Sequence, residues 1–123
     1  SVSLQLLGGR VRGLTQAAVG AQVLNVLDTL RVDIAFIGTN GISVRHGLST
    51  PDSDEAAIKR AMVHCANHVV VTADSSKFGR EDLVSFAPLS AVRTVVTDTE
   101  IRAHERQQLI GAGVGVICAE AGA

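Results

Sequence analysis

An α/β fold built on a mostly parallel sheet is what this chain predicts, and three observations carry the prediction. Short aliphatic runs alternate with stretches of helical periodicity, the order expected of strand–helix–strand units. The run at 32–37, Val-Asp-Ile-Ala-Phe-Ile, is largely continuous in its apolar character, which fits a strand buried on both faces. Polar loops then follow the apolar runs, at Gly38-Thr39-Asn40-Gly41 and at Asp74-Ser75-Ser76-Lys77. Parallel sheets hold ligands outside the carboxyl ends of their strands, where such loops sit.

Each element has its own reason. Residues 2–7 are a short apolar run read as a strand and stopped by Gly8-Gly9-Arg10. Residues 17–30 carry Val19, Val23, Val26, Leu27 and Leu30 on one stripe, the spacing of an amphipathic helix. The second strand is 32–37, and 38–50 reads as a long polar, glycine-containing loop. Pro51-Asp52-Ser53-Asp54-Glu55 opens the next helix: Asp and Ser accept hydrogen bonds from free first-turn amides, and acids suit the positive end of the helix dipole. Ile58, Ala61, Met62 and Cys65 form its apolar face. Glu55 and Lys59, four apart, are expected as an outward ion pair worth about 0.3 kcal/mol. The third strand is 68–73, residues 83–87 are a short strand or extended segment, and 93–97 is a further strand ending at Asp98. Thr99 caps a helix running to about Ile110, which the glycines at 111 and 113 stop, and Gly115 to Ala119 is the last strand. The loops after Leu7, Ile37, Ala73 and Thr97 are expected along one edge.

Composition narrows the function. A chain of 123 residues, 46% hydrophobic, suits one domain with a real core. That core must be aliphatic, because the chain has three Phe and no Trp or Tyr. The aromatic platforms on which nucleic-acid bases stack are missing. Eleven basic residues against twelve acidic ones leave a formal charge of −1 with no basic stripe, which argues against nucleic-acid binding by this segment. Cys65 and Cys118 lie far apart in apolar surroundings and read as buried, reduced thiols of a cytoplasmic protein. No secretion signal is visible, and no apolar run approaches the ~20 residues of a membrane span. His64, Cys65 and His68 lack a fourth ligand at suitable spacing, so no metal is expected, and no cofactor. The glycines at 111, 113 and 115 follow a helix and precede a strand, the reverse of a dinucleotide-binding turn, and neither a P-loop nor a Gly-x-Ser-x-Gly elbow occurs.

The loops remain as the informative chemistry. In Gly38-Thr39-Asn40-Gly41 the glycines permit positive φ and let backbone N–H groups face an anion, although an ordinary βα turn has the same composition. In Asp74-Ser75-Ser76-Lys77, Lys77 offers a point charge for phosphate and Asp74 an acceptor for hydroxyl hydrogens, with Ser75 and Ser76 assisting. The plainer alternative is an Asp capping a short helical turn beside a solvated Lys. Gly8-Gly9-Arg10 reads as a third anion-binding turn or a plain tight turn, and Asp98 as a site carboxylate or a helix cap.

Taken in order, several segments resemble one family. They are 33–42 (Asp-Ile-Ala-Phe-Ile-Gly-Thr-Asn-Gly-Ile), Gly47-Leu48-Ser49-Thr50, Glu55-Ala56 with Lys59-Arg60-Ala61-Met62, Asp74-Ser75-Ser76-Lys77-Phe78-Gly79, Ala87-Pro88-Leu89 and Val95-Val96-Thr97-Asp98. Together they resemble the effector-sensing domain of DeoR-family bacterial transcriptional regulators, as do Leu6-Leu7-Gly8-Gly9-Arg10-Val11-Arg12 and Val19-Gly20. The resemblance implies a three-layer, Rossmann-like, mostly parallel sheet, similar to sugar-phosphate isomerases and coenzyme A transferases. It implies a phosphorylated sugar or related metabolite as ligand, a homo-oligomer, and DNA binding only through an N-terminal winged helix-turn-helix that this chain lacks. The first part of such a sensor is also missing, so the chain is expected to be a sensor incomplete at its N-terminus. The ligand-binding residues expected are Gly8, Gly9, Gly38, Thr39, Asn40, Gly41, Asp74, Ser76 and Lys77. Two other readings stay open at this point: a sugar-phosphate isomerase or deaminase, with Asp74 or Asp98 as base, and a structural oligomerisation module.

Overall fold

The structure, a computed structural model, describes residues 17–119. Gly8, Gly9 and the strand read at 2–7 lie outside the described residues. The elements run α1 (Ala17–Asp28), β1 (Val32–Gly38), β2 (Gly41–Ser43), β3 (Gly47–Thr50), α2 (Ser53–Cys65), β4 (Ala66–Thr72), a 3-10 turn (Ser75–Lys77), β5 (Val84–Ala87), a second 3-10 turn (Leu89–Ala91), β6 (Thr94–Asp98), α3 (Ala103–Gly111) and β7 (Gly115–Ala119).

The expected α/β architecture is present. Four strands form a parallel sheet in the order β1-β4-β6-β7. Gly38 lies opposite Thr72, so β1 and β4 end level, while β6 runs two residues past Val96, the partner of Thr72, to Asp98. A second, antiparallel sheet, β2-β3-β5, stands beside it. This small sheet corrects the reading of 38–50 as one long loop. Its strands are only three and four residues long, and their glycines and hydroxyls hide the alternation by which strands are read. Yet Leu48, Ser49 and Thr50 are fully buried, and Ile42 nearly so.

Helix α2 begins where the Asp52 carboxylate accepts the Asp54 N–H at 2.9 Å, an N-cap that satisfies one free amide. It touches β1 and β4 of the large sheet, β3 and β5 of the small one, and α1. Most of the core lies among these elements, with Ala35, Ile37, Val69, Val71 and Val95 from the large sheet and Ile42, Leu48 and Phe86 from the small one. Val23 and Leu27 of α1 meet Ile58 and Cys65 of α2 in a separate cluster.

Several expectations are corrected. β1 is buried on one face only: Ala35 and Ile37 are covered, whereas Ile34 and Phe36 are 42% and 59% exposed. Among the described residues it is the edge strand of its sheet, and nothing there covers its second face. The α1 stripe is narrower than read, because Val26 and Leu30 are exposed. Cys65 is buried as expected, but Cys118, on the edge strand β7, is exposed; both are free thiols. Helix α3 starts at Ala103 rather than at Thr99, because Asp98 takes the Glu100 N–H and turns the chain first. Among the described residues no helix is long and apolar enough to cross a membrane.

The hairpin of the small sheet is stitched to the segment after the first 3-10 turn. The Gly79 N–H donates to the Ile42 carbonyl at 2.7 Å, and Gly79 adopts a φ of 81° that favours glycine. The Asp82 N–H donates to Ser49 Oγ at 2.9 Å, and His46 Nε2 lies 2.7 Å from the Asp82 carbonyl. Glu81 accepts from Arg45 Nη2 at 2.6 Å and from Ser43 Oγ at 2.8 Å. These contacts hold the Glu81 carboxyl down to about 2, mainly through the Arg45 and Ser43 hydrogen bonds.

Two outcomes are expected. A Cβ at Gly41 would collide with the Arg80 carbonyl oxygen and lie 2.7 Å from Ser49 Oγ, so Gly41→Ala should cost about 1–3 kcal/mol of stability in urea unfolding. A midpoint equal to the parent's would show that the hairpin tolerates the methyl group. Because the Glu81 carboxyl titrates lower in the folded chain than its ordinary 4.5, its contribution is complete above that pH and is lost as pH falls toward about 2. The melting temperature of Glu81→Gln should therefore fall less steeply than the parent's over that interval. Parallel acid profiles would remove Glu81 from the acid response.

Candidate functional site

The candidate site is built on the carboxyl ends of β1, β4 and β6, which share one edge of the sheet. After β4 the chain turns at once. The Asp74 carboxylate accepts the Ser76 N–H at 2.9 Å and also the Ser76 hydroxyl, which folds residues 75–77 into a single 3-10 turn. The turn is fastened to β6: the Ala73 N–H donates to the Val96 carbonyl at 3.1 Å, and the Ser75 N–H donates to Asp98 Oδ2 at 3.0 Å. On the other side, Phe78 pairs with Ile42 at the start of the small sheet. The two loops read from the sequence thus meet along one edge, since Gly41 immediately precedes Ile42.

The expected binding residues differ in what they leave free. Lys77 is half-buried and makes no salt bridge among the described residues. Asp74 and Ser76 are exposed but bonded to each other. Asp74 therefore has the capping role as well as an open face. Thr39 is buried, and its hydroxyl lies within reach of the Gly41 carbonyl at 2.9 Å and the Ser49 carbonyl at 3.1 Å, where it donates. The Asn40 N–H donates to the Ser49 carbonyl at 3.2 Å. Gly38 and Gly41 do not adopt positive φ. The glycine loop is thus held by the hairpin, and Gly41 is small because the Arg80 backbone passes against it. Its Asn40 amide is not open to an anion, which corrects part of the expected role.

Asp98 resolves into a structural link. One oxygen takes Ser75 N–H and the other takes Glu100 N–H at 2.9 Å. These two amides hold its carboxyl below the ordinary carboxylate range, and the Ser76 hydroxyl and amide do the same for Asp74, with Lys77 adding to it. Both groups are anions at neutral pH and hold their charge against protonation. A general base works best with a pKa near the working pH, so neither is tuned for proton transfer. They are suited to accept hydrogen bonds.

A depression of about 310 Å³ lies between this turn and the start of α3, lined by Ser75, Ser76, Phe78, Glu100, Arg102 and Glu105. The Glu105 carboxylate accepts the Arg102 N–H at 3.2 Å. Arg102 and the two glutamates were not singled out in the sequence, because nothing in their local order distinguishes them from a solvated helix start. Lys59 was read as half of an outward pair. It is instead turned inward, its side chain 13% exposed, with Nζ 3.2 Å from Glu55 and 2.8 Å from the Gly38 carbonyl. Its place three residues before Met62, at the border of the apolar face of α2, was the available signal.

Comparison with known proteins fits this geometry. A family model described as the DeoR C-terminal sensor domain matches residues 1–99. The HTH-type transcriptional regulator GlpR of Haloferax volcanii is 40% identical over 114 residues, covering 93% of this chain and 45% of that protein. FruR of Bacillus subtilis, also an HTH-type transcriptional regulator, is 40% identical over 99 residues, 80% of this chain and 39% of its own length. The glycerol-3-phosphate regulon repressor of Escherichia coli K12 is 33% identical over 93 residues, 76% of this chain and 37% of the repressor. The chain spans less than half the length of these relatives, each of which is named as a regulator or repressor and none as an enzyme. The chain belongs to the DeoR family, as its C-terminal sensor domain.

Proposed function

We propose that this sensor binds a phosphorylated sugar or related metabolite at the carboxyl edge of the parallel sheet. Lys77 pairs with the phosphate, the open side of Asp74 accepts a hydroxyl hydrogen, and Ser76 assists. The glycine loop at 38–41 forms one wall; Gly8 and Gly9, expected from the sequence as part of this site, lie outside the described residues. The observation that carries this reading is the 74–77 turn. It is fixed at both ends by Asp98 and Ile42, yet it leaves the Lys77 ammonium without an ion-pair partner among the described residues. A cation carried on a fixed turn, without an ion-pair partner there and beside ordered hydroxyls, suits an anionic, hydroxylated ligand. The name of one relative, the glycerol-3-phosphate regulon repressor, supports a phosphorylated effector.

In the full-length protein, the metabolite changes DNA affinity to the extent that it binds one conformation better than the other. The names of the relatives, HTH-type transcriptional regulators, support a helix-turn-helix as the part of the full-length protein that contacts DNA. The protein works in the cytoplasm as a homo-oligomer, as the family resemblance implies.

Lys77→Ala should weaken binding of the best ligand from a panel of glycerol, glucose and fructose phosphates by at least about tenfold, the scale of one lost charge-assisted hydrogen bond. Its melting temperature should stay close to the parent's, because Lys77 supports no contact in the core. Calorimetry giving equal affinities for mutant and parent would remove Lys77 from the site.

A further inference from the structure

Lys59 lies outside the proposed ligand contacts, and its surroundings are unusual for an i, i+4 ion pair. An ordinary surface pair keeps both charged heads in water. Here the Glu55 side chain is 39% exposed and the Lys59 side chain 13%. Lysine is rarely buried without specific partners, and the asymmetry means that something besides Glu55 holds this one. Two contacts do so. Nζ donates to the Gly38 carbonyl at 2.8 Å, and it stands 5.4 Å from the centre of the Phe86 ring, where a cation is attracted to the π face.

Gly38 is the last residue of β1 and the first of the loop Gly38-Thr39-Asn40-Gly41. Beyond it, the known anchors of the loop come from the small sheet, through Thr39 and Asn40 to the Ser49 carbonyl. Lys59 therefore ties the β1 end of the loop to α2 by a charge-assisted bond, while the hairpin ties the other end. Helix α2 is the element that touches both sheets and α1.

We propose that Lys59 is a positioning residue: through the Gly38 carbonyl it holds the 38–41 loop in the geometry that the effector meets. This rests on the effector reading above. The ammonium is required rather than the length of the side chain, so an arginine serves in its place and a methionine of similar length does not.

The test compares the parent with Lys59→Met and Lys59→Arg, each well below its melting midpoint. Inorganic phosphate and glycerol 3-phosphate are titrated by calorimetry, and amide hydrogen exchange is followed by NMR in the free chain. Lys59→Met should weaken both ligands about tenfold, the scale of one charge-assisted hydrogen bond, and Lys59→Arg should restore most of the loss. The Asn40 amide should exchange faster in Lys59→Met and recover in Lys59→Arg, while the Val71 and Val95 amides in the sheet stay unchanged. A purely structural lysine would change the sheet amides together with the loop and would leave affinity intact once the chain is folded; that result overturns the proposal. If the parent binds neither ligand, nor any of the glucose and fructose phosphates above, the effector reading fails. The exchange data then decide alone: selective loss of protection at Asn40 with arginine rescue sustains the positioning role, and unchanged exchange ends it.

Discussion

The Asp98 carboxylate accepts the Ser75 N–H on one oxygen and the Glu100 N–H on the other, and most of the candidate site depends on that arrangement. It closes the gap between the end of β6 and the turn that follows β4. The turn could otherwise leave the sheet in many directions, since 74–77 contains one short 3-10 turn and no apolar anchor. With Ser75 fixed to β6, and Phe78 and Gly79 fixed to Ile42, the turn is clamped between the two sheets. Lys77 sits between the clamps. A hydrogen bond from a backbone amide to a carboxylate is stronger than a neutral one, and this carboxyl is correspondingly held in its charged form.

That arrangement favours recognition over chemistry. Asp74 and Asp98 are both stabilised as anions by amides and hydroxyls, so they make good acceptors and poor bases at neutral pH. The concave surface beside them is bounded by Ser75, Ser76 and Phe78 and by Glu100, Arg102 and Glu105 at the entry to α3. A sensor needs only differential affinity between two states of the protein. A fixed turn next to a loop held from α2 on one side and a hairpin on the other suits the proposed role, because a ligand on that loop would bear on the helix that touches both sheets.

Much of this was legible in the residues, and the exceptions have physical causes. The parallel strands were readable because β1, β4, β6 and β7 are aliphatic runs separated by helical periodicity. The two loops were readable because glycine, asparagine, aspartate and lysine cluster where those runs stop. Their meeting also follows from topology, since the ends of neighbouring parallel strands lie together. The small sheet was hidden because Gly41-Ile42-Ser43 and Gly47-Leu48-Ser49-Thr50 are too short to show a period. The real constraint on Gly41 is the Arg80 backbone, a contact 39 residues away in sequence that no local pattern reveals. The same holds for Lys59. Its i, i+4 partner is local, whereas the Gly38 carbonyl that turns it inward is 21 residues distant. Asp98 had two local readings, and the structure selects a third, a tertiary link to Ser75, that neither reading contained.

The most direct measurement of the central claim is an amide chemical-shift map of the chain titrated with a phosphorylated metabolite that binds it. Shifts confined to residues 74–79, the 38–42 loop and Asp98 to Glu100 are expected, with Lys77 Nζ moving in step with saturation. Shifts centred instead on the opposite end of the sheet, around His68, Arg93 and Gly115, would place the ligand elsewhere and contradict the assignment of the carboxyl edge as the sensing site.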